Sequence, residues 1–162
     1  MTTPIPVLVE QLAAALQQRG WMLATAESCT GGLIAARCTD LAGSSAWFER
    51  GFVTYSNEAK TELLGVDPQA IAQHGAVSEV VARAMAFGAV RHARAQAAVA
   101  VTGVAGPTGG SPAKPVGMVW FGWSVDGRLH SERLQFDGDR AAVREATVRH
   151  ALERLLALVG AA

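Results

Sequence analysis

The sequence has little of what marks several classes of protein. Its two cysteines, Cys29 and Cys38, are too few for a disulfide framework or a four-cysteine zinc site. Fourteen basic residues balance fourteen acidic ones, so no excess of positive charge favours nucleic acid or an anionic membrane surface. No apolar run approaches the ~20 residues that cross a bilayer, and no basic leader precedes the first apolar segment. We therefore expect a cytoplasmic protein that binds neither nucleic acid nor membrane.

The chain has enough apolar residues for one core. Half of its 162 residues are hydrophobic, and a chain of this length buries most of its apolar surface without disulfides or metal. No repeat, low-complexity tract or long linker divides it, which predicts a single domain over residues 1–162. The histidines are scattered and none stands at metal-ligand spacing from another. We therefore expect no metal and no cofactor.

Apolar spacing and turn residues predict alternating helices and strands. Leu8, Leu12 and Leu16 lie on one face of a helix over 5–19, and Gly20 is predicted to end it. The further predicted elements are strands over 21–27, 47–55 and 97–102, helices after Gly32, Ser56, Pro68, Ser78 and Asp139, and a hairpin of strands 117–125 and 129–136 joined by Asp126-Gly127. This order predicts an α/β fold, a single three-layer domain with a mixed β-sheet and helices on both faces.

The first candidate site follows the first strand, in Glu27-Ser28-Cys29-Thr30-Gly31-Gly32. Free backbone N–H groups near the two glycines would hold a phosphate or a developing oxyanion beside Ser28. The alternative is that Ser28 or Thr30 only caps the next helix. Cys29 competes with Ser28 as nucleophile because a thiolate is intrinsically more reactive, although a buried cysteine is ordinarily a small apolar residue.

Lys60 is the second candidate. If Ser56 caps the helix that follows it, Lys60 lies in the first turns, where the helix dipole disfavours positive charge. A neutral amine there can accept the proton of a serine hydroxyl. The alternative is a solvated lysine without a role. Tyr55 and Lys60 do not match a short-chain dehydrogenase, because that pattern separates the tyrosine and lysine by three residues and here four intervene.

A glycine-rich loop after the third strand is a third candidate. Thr102 and Gly103 begin it, and Gly106 and Gly109 allow a ligand to approach the backbone closely. The loop lacks the Gly-Lys-Ser/Thr of a phosphate-binding P-loop. Without further evidence it also fits a surface turn.

Arg140 and Arg144 lie four residues apart, on one face of the first turns of the last predicted helix. One of them could clamp an anion, since the positive end of the helix dipole also attracts an anion there. The alternative is that both pair with Asp137 and Asp139.

Four segments together resemble the CinA C-terminal domain family. They are Ala26-Glu27-Ser28-Cys29-Thr30-Gly31-Gly32, Gly43-Ser44-Ser45-Ala46-Trp47-Phe48, the run from Gly51 to Lys60, and the loop from Gly103 to Gly117. The similarity extends over nearly the whole chain, and several long motifs in the same order make it specific.

The resemblance implies an amidase that hydrolyses the carboxamide of nicotinamide mononucleotide, with no metal. It also implies a serine–lysine mechanism, which maps onto Ser28 as nucleophile and Lys60 as base, with Tyr55 as a possible relay of the proton to ammonia. The contacts to the nucleotide substrate expected on this basis are Thr30, Gly31, Gly32, Ser44, Thr102, Gly103, Gly106, Gly109, Arg140 and Arg144.

The sequence leaves two other hypotheses about function open. The chain could be a non-catalytic module that binds a nucleotide or a protein partner, of the competence or damage-inducible type that gives the family its name. It could also be an amidase for a different small amide. A homodimer is possible, because apolar periodicity does not separate an interface from the core.

Overall fold

Residues 2–162, which the computed structural model describes, form six α-helices and five β-strands. In chain order they are α1 (Ile5–Arg19), β1 (Leu23–Glu27), α2 (Leu33–Thr39), β2 (Phe48–Val53), α3 (Asn57–Leu64), α4 (Pro68–His74), α5 (Glu79–Arg91), β3 (Ala97–Gly103), β4 (Met118–Val125), β5 (Arg128–Gln135) and α6 (Arg140–Ala161). A short 3₁₀ helix, Ser44–Ala46, precedes β2. The predicted order is confirmed, with strand and helix ends shifted by a few residues. None of these helices combines the length and apolarity needed to cross a membrane.

The strands form one mixed sheet in the order β2-β1-β3-β4-β5. β1 pairs in parallel with β2 and β3, whereas β3, β4 and β5 are antiparallel to one another. Glu27, the last residue of β1, is in register with Val53 and with Val101. The segments that follow β1, β2 and β3 therefore leave the sheet at the same edge, where ligands of open α/β sheets bind.

Helices cover both faces of the sheet, which confirms the predicted three-layer α/β architecture. Side chains alternate along β1 and β3, as the strand period requires. Leu23, Val99 and Val101 face the core formed with α1, α2 and α6. The opposite faces carry Ala24 and Ala26 in β1 and Ala98 and Ala100 in β3, and these alanines pack in the core formed with α3, α4 and α5. The small side chains allow these helices to approach the sheet closely.

Side-chain caps fix where three helices begin. Ser56 Oγ accepts the Ala59 N–H, Ser78 Oγ accepts the Val81 N–H, and Asp139 Oδ1 accepts the Ala142 N–H. Each cap satisfies a backbone donor that the first turn leaves unpaired. The Ser56 cap begins α3 at Asn57 and so places Lys60 within its first turns.

Two helical glycines provide a matched test of the packing. A Cβ on Gly88 of α5 would lie 2.0 Å from the Leu64 carbonyl oxygen, whereas a Cβ on Gly160 of α6 would meet nothing within 4 Å. Gly88→Ala should lower the free energy of unfolding by about 1–3 kcal/mol through overpacking. Gly160→Ala should raise it by up to about 1 kcal/mol through helix propensity. Urea denaturation measures both, and equal effects of one sign would contradict the close approach of α5 to α3.

Candidate active site

Ser28 and Lys60 meet at the edge where β1 and β2 end. Lys60 Nζ lies 2.9 Å from Ser28 Oγ, although the two residues are 32 positions apart in the chain. Ser28 directly follows β1, and Lys60 reaches it from α3, the helix after β2. Ser28 is 8% exposed and Lys60 only 1% exposed. The contact is therefore a buried serine–lysine pair, as the sequence predicted.

The surroundings of Lys60 favour an uncharged amine. Nζ contacts the carbonyl oxygens of Thr54 at 2.8 Å and Tyr55 at 3.2 Å, and no salt bridge of residues 2–162 includes it. Burial lowers the pKa of Lys60 from its ordinary value, and the nearby Cys29 thiol only partly opposes this. A neutral amine has two N–H donors for the two carbonyls. Its remaining lone pair is available to the Ser28 hydroxyl.

Cys29 is not activated in the same way. Its side chain is buried, and burial raises the pKa of the Cys29 thiol to about 11, despite a lowering contribution from its own backbone N–H. The thiol is therefore protonated near neutral pH, and the reactive thiolate is scarce. This favours Ser28 over Cys29 as the nucleophile.

Glu27 anchors the loop that carries Ser28, a role that the sequence analysis did not predict. Its buried carboxylate accepts hydrogen bonds from the Thr30 hydroxyl and from the N–H groups of Ile34 and Ala35, at 2.8 and 3.0 Å for the last two. A negative charge is stabilised there by the N-terminus of α2. The signal that could have revealed this role is an acidic residue between a buried strand and a helix start.

Two of the predicted substrate contacts in this loop are already engaged. The Thr30 hydroxyl is fully buried and donates to Glu27, so it does not face a ligand. The Gly31 N–H donates to the Ser28 carbonyl at 3.1 Å and is not free for an oxyanion. Gly31 has a φ of 60° and Gly32 a φ of 107°, in the region that favours glycine. The two glycines therefore turn the chain into α2.

A cavity of about 230 Å³ opens onto the Ser28–Lys60 pair. Among the predicted contacts, Thr102, Gly103 and Arg140 line it. Tyr55 also borders it, with its carbonyl oxygen turned to Lys60 and its residue 63% exposed. The lining also includes four residues that the sequence analysis did not single out: Asn57, Ala76, Val77 and Ala105. The Thr102 hydroxyl donates to the Ala76 carbonyl and so holds that wall of the cavity.

Other predicted contacts lie away from this cavity. Ser44 precedes β2, whereas Ser28 follows β1, and the two strands are parallel. Ser44 is therefore at the opposite edge of the sheet, which corrects its expected contact with the substrate. Gly106 and Gly109 do not line the cavity, although the Gly106 carbonyl accepts a hydrogen bond from Arg140 at 2.8 Å.

Arg140 and Arg144 occupy different places. Arg140 is exposed at the mouth of the cavity, whereas Arg144 donates from Nη2 to the Thr30 carbonyl at 2.9 Å, behind the Ser28 loop. Neither pairs with Asp137 or Asp139 among the salt bridges of residues 2–162. Within the same residues, no group of three or more His, Cys, Asp or Glu side chains could hold a metal ion.

Comparison with protein families relates the chain to known sequences. The model of the CinA C-terminal domain matches residues 6–159. The nicotinamide-nucleotide amidohydrolase PncC of Escherichia coli K12 is 56% identical over 149 residues, which cover 91% of this chain and 90% of the relative. The protein of the same name from Pseudomonas putida is 56% identical over 155 residues, covering 96% and 97%.

Solved structures share the fold over almost the whole chain. The competence/damage inducible protein CihA from Agrobacterium tumefaciens superposes with a TM-score of 0.93 at 46% identity, covering 98% of each chain. The CinA superfamily protein KP700603 from Klebsiella pneumoniae gives a TM-score of 0.94 at 40% identity, covering 99% of this chain and 100% of the other. The α/β architecture of this chain is therefore that of CinA superfamily proteins.

The lowered pKa of Lys60 predicts a pH dependence of stability. Between its folded-state pKa and the ordinary value of 10.5, the unfolded chain binds a proton at Lys60 that the folded chain does not. The contribution of Lys60 to the free energy of unfolding therefore rises with pH across that interval. Relative to Lys60→Met, the parent protein should gain unfolding free energy as the pH rises towards 10.5. Denaturation of both proteins at a series of pH values measures the difference, and a constant difference would contradict a lowered pKa.

Proposed function

Because the chain belongs to the CinA C-terminal domain family, we propose that it hydrolyses the carboxamide of nicotinamide mononucleotide to nicotinate mononucleotide and ammonia. The observation that carries the proposal is the 2.9 Å contact between Lys60 Nζ and Ser28 Oγ at the base of a cavity. Relatives at 56% identity bear the name of this activity. An amide needs an activated nucleophile, and this pair supplies one without a metal.

The proposed chemistry begins with neutral Lys60 accepting the proton of the Ser28 hydroxyl. Ser28 Oγ attacks the carboxamide carbon, and the carbonyl electrons move to oxygen. When the tetrahedral intermediate collapses, the C–N bond breaks and protonated Lys60 gives its proton to the leaving nitrogen, which departs as ammonia. Water then attacks the acyl ester, with Lys60 accepting its proton. The bond between the acyl carbon and Ser28 Oγ breaks, Lys60 returns the proton to Oγ, and nicotinate mononucleotide leaves. Lys60 thus acts as base and acid in turn.

The oxyanion needs a donor other than Gly31, whose N–H is bonded to the Ser28 carbonyl. The Cys29 N–H is our choice, because it donates to no protein oxygen among residues 2–162 and Cys29 lines the cavity next to the nucleophile, whereas Gly32 does not line it. A preorganised backbone donor would stabilise the charge that develops on the carboxamide oxygen. Tyr55, exposed at the cavity mouth, offers an alternative route by which the Lys60 proton would reach the leaving nitrogen through the phenol, in place of direct transfer.

Charge decides where the phosphate of the nucleotide would lie. Arg140 borders both the Ser28 cavity and a second cavity of about 460 Å³ at the N-terminus of α6, where the helix dipole favours an anion. Asp139 also lines this second cavity, but its carboxylate caps α6 by accepting the Ala142 N–H. A groove between α3 and α4 also adjoins Asn57, but Glu58 and Glu62 line it and would repel a phosphate. We therefore place the reacting ring beside Ser28 and the phosphate beside Arg140.

Ammonia release tests the nucleophile. Ser28→Ala should abolish release of ammonia from nicotinamide mononucleotide, since removing a nucleophile typically costs several orders of magnitude in rate. Cys29→Ala is the matched control at the neighbouring position and should retain most of the activity. A coupled ammonia assay on the purified proteins measures both. Loss of activity in Cys29→Ala with activity retained in Ser28→Ala would assign the chemistry to the thiol, and no ammonia from the parent protein would refute the function.

Nucleotide affinity tests the phosphate assignment. Arg140→Met should weaken binding of nicotinate mononucleotide by roughly 10- to 150-fold, the equivalent of one hydrogen bond to a charged group. Arg154→Met, exposed on the same helix, serves as the matched control and should bind as the parent does. Isothermal titration calorimetry gives both dissociation constants. Unchanged affinity in Arg140→Met would place the phosphate elsewhere.

A further inference from the structure

Arg144 holds one end of the peptide unit that follows Thr30. Its Nη2 donates to the Thr30 carbonyl at 2.9 Å, and the N–H of the same peptide unit, from Gly31, donates to the Ser28 carbonyl at 3.1 Å. Because a peptide unit is planar, fixing its oxygen fixes the direction of its N–H. The Thr30 carbonyl also accepts the Leu33 N–H at 3.1 Å, so Arg144 and the start of α2 together hold the rigid unit that contacts the carbonyl group of the nucleophile.

Among residues 2–162, the backbone of Ser28 has one other hydrogen bond, made by its own N–H. The Ser28 N–H donates to the Val101 carbonyl at 3.1 Å, which ties it to β3. The Gly31 N–H holds the carbonyl side, so the two bonds together restrict both backbone torsions of Ser28. The orientation of Ser28 Oγ towards Lys60 depends on those torsions. Loosening the Thr30–Gly31 peptide would remove the second tether.

The guanidinium lies against the loop and not in the cavity. A Cβ on Gly31 would be 3.7 Å from Arg144 Nη2, in ordinary contact, and Arg144 does not line the cavity beside Ser28. Arg144 Nε is buried without a hydrogen-bond partner among the described residues. Keeping a buried donor unpaired costs free energy.

The residue next to Arg144 links α6 to α2 and so keeps Arg144 beside the loop. Glu145 of α6 accepts two hydrogen bonds from Arg37 of α2, both at 3.0 Å. The paired bonds connect α6 to the helix that begins directly after the loop. Arg140, one helical turn earlier, faces the cavity instead, so the first turns of α6 present one guanidinium to the ligand and one to the loop.

We propose that Arg144 is a positioning residue for Ser28, which it orients through the Thr30–Gly31 peptide, and not a ligand of the substrate phosphate. The catalytic part of this inference rests on the proposed amide hydrolysis. Arg144→Met should lower kcat about ten- to hundredfold through misplacement of Oγ, while KM changes by less than about threefold. Arg144→Lys should recover part of kcat, because an amine can supply one donor to the carbonyl but lacks the planar fork.

The experiment compares Arg144→Met, Arg144→Lys, Arg140→Met and Arg154→Met with the parent protein. Steady-state kinetics with nicotinamide mononucleotide gives kcat and KM, and calorimetry gives the affinity for nicotinate mononucleotide. Hydrogen exchange at the Gly31 amide, followed by NMR, reports the tether without any substrate. We expect faster exchange and a lower kcat in Arg144→Met, with affinity retained. Arg140→Met should lose affinity for nicotinate mononucleotide while its kcat and Gly31 exchange rate are retained. Arg154→Met should change none of these quantities.

Three results would overturn the proposal: an unchanged kcat in Arg144→Met, a loss of nucleotide affinity like that of Arg140→Met, or an unchanged Gly31 exchange rate. If Arg144→Met does not fold, as circular dichroism would show, Arg144→Lys carries the same readouts. If the parent protein releases no ammonia, the proposed function fails. The Gly31 exchange rate then still decides whether Arg144 holds the loop.

Discussion

Burial of the Lys60 amine without a counter-ion is the constraint on which the site depends. A charged amine with 1% exposure and no carboxylate partner would lack the solvation it has in water, so the fold favours the neutral form. The Thr54 and Tyr55 carbonyls occupy its donors, and the Ser28 hydroxyl lies at its remaining position. A paired carboxylate would have held the proton and removed the base. The absence of a salt bridge is thus as important as the hydrogen bonds that are made.

The sheet topology makes this burial possible. Parallel pairing of β1 with β2 and β3 brings the segments after all three strands to one edge, and the alanine faces of β1 and β3 allow α3, α4 and α5 to pack closely against it. The Ser56 cap then sets the phase of α3, so that Lys60 points inward on its first turns. On the other side, Glu27 and Arg144 both bind Thr30 of the Ser28 loop, Glu27 through the Thr30 hydroxyl and Arg144 through the Thr30 carbonyl. The nucleophile and its base are therefore held by separate elements.

Local patterns predicted much of this fold, because caps, turns and apolar spacing act over a few residues. Ser56, Ser78, Asp139 and the Asp126-Gly127 hairpin lie where the sequence predicted. Local patterns made Ser28 and Lys60 separate candidates, each with an alternative, and their pairing was expected from the resemblance to the CinA C-terminal domain family. Residue spacing did not predict the long-range contacts. These include the strand order that puts Ser44 at the far edge and the hydrogen bond from Thr30 to Glu27. They also include the different surroundings of Arg140 and Arg144. These depend on which elements become neighbours.

Direct titration of the Lys60 amine tests the central claim. The chain has two lysines, Lys60 and Lys114, so a protein labelled with ¹³C at lysine Cε gives two signals, and Lys60→Met assigns them. The chemical shift of the Lys60 signal, followed against pH by NMR, reports its protonation. The expected result is a Lys60 pKa below the ordinary 10.5. A Lys60 that titrates at or above 10.5 would show that the amine is charged when Ser28 must react, and would contradict its role as the base.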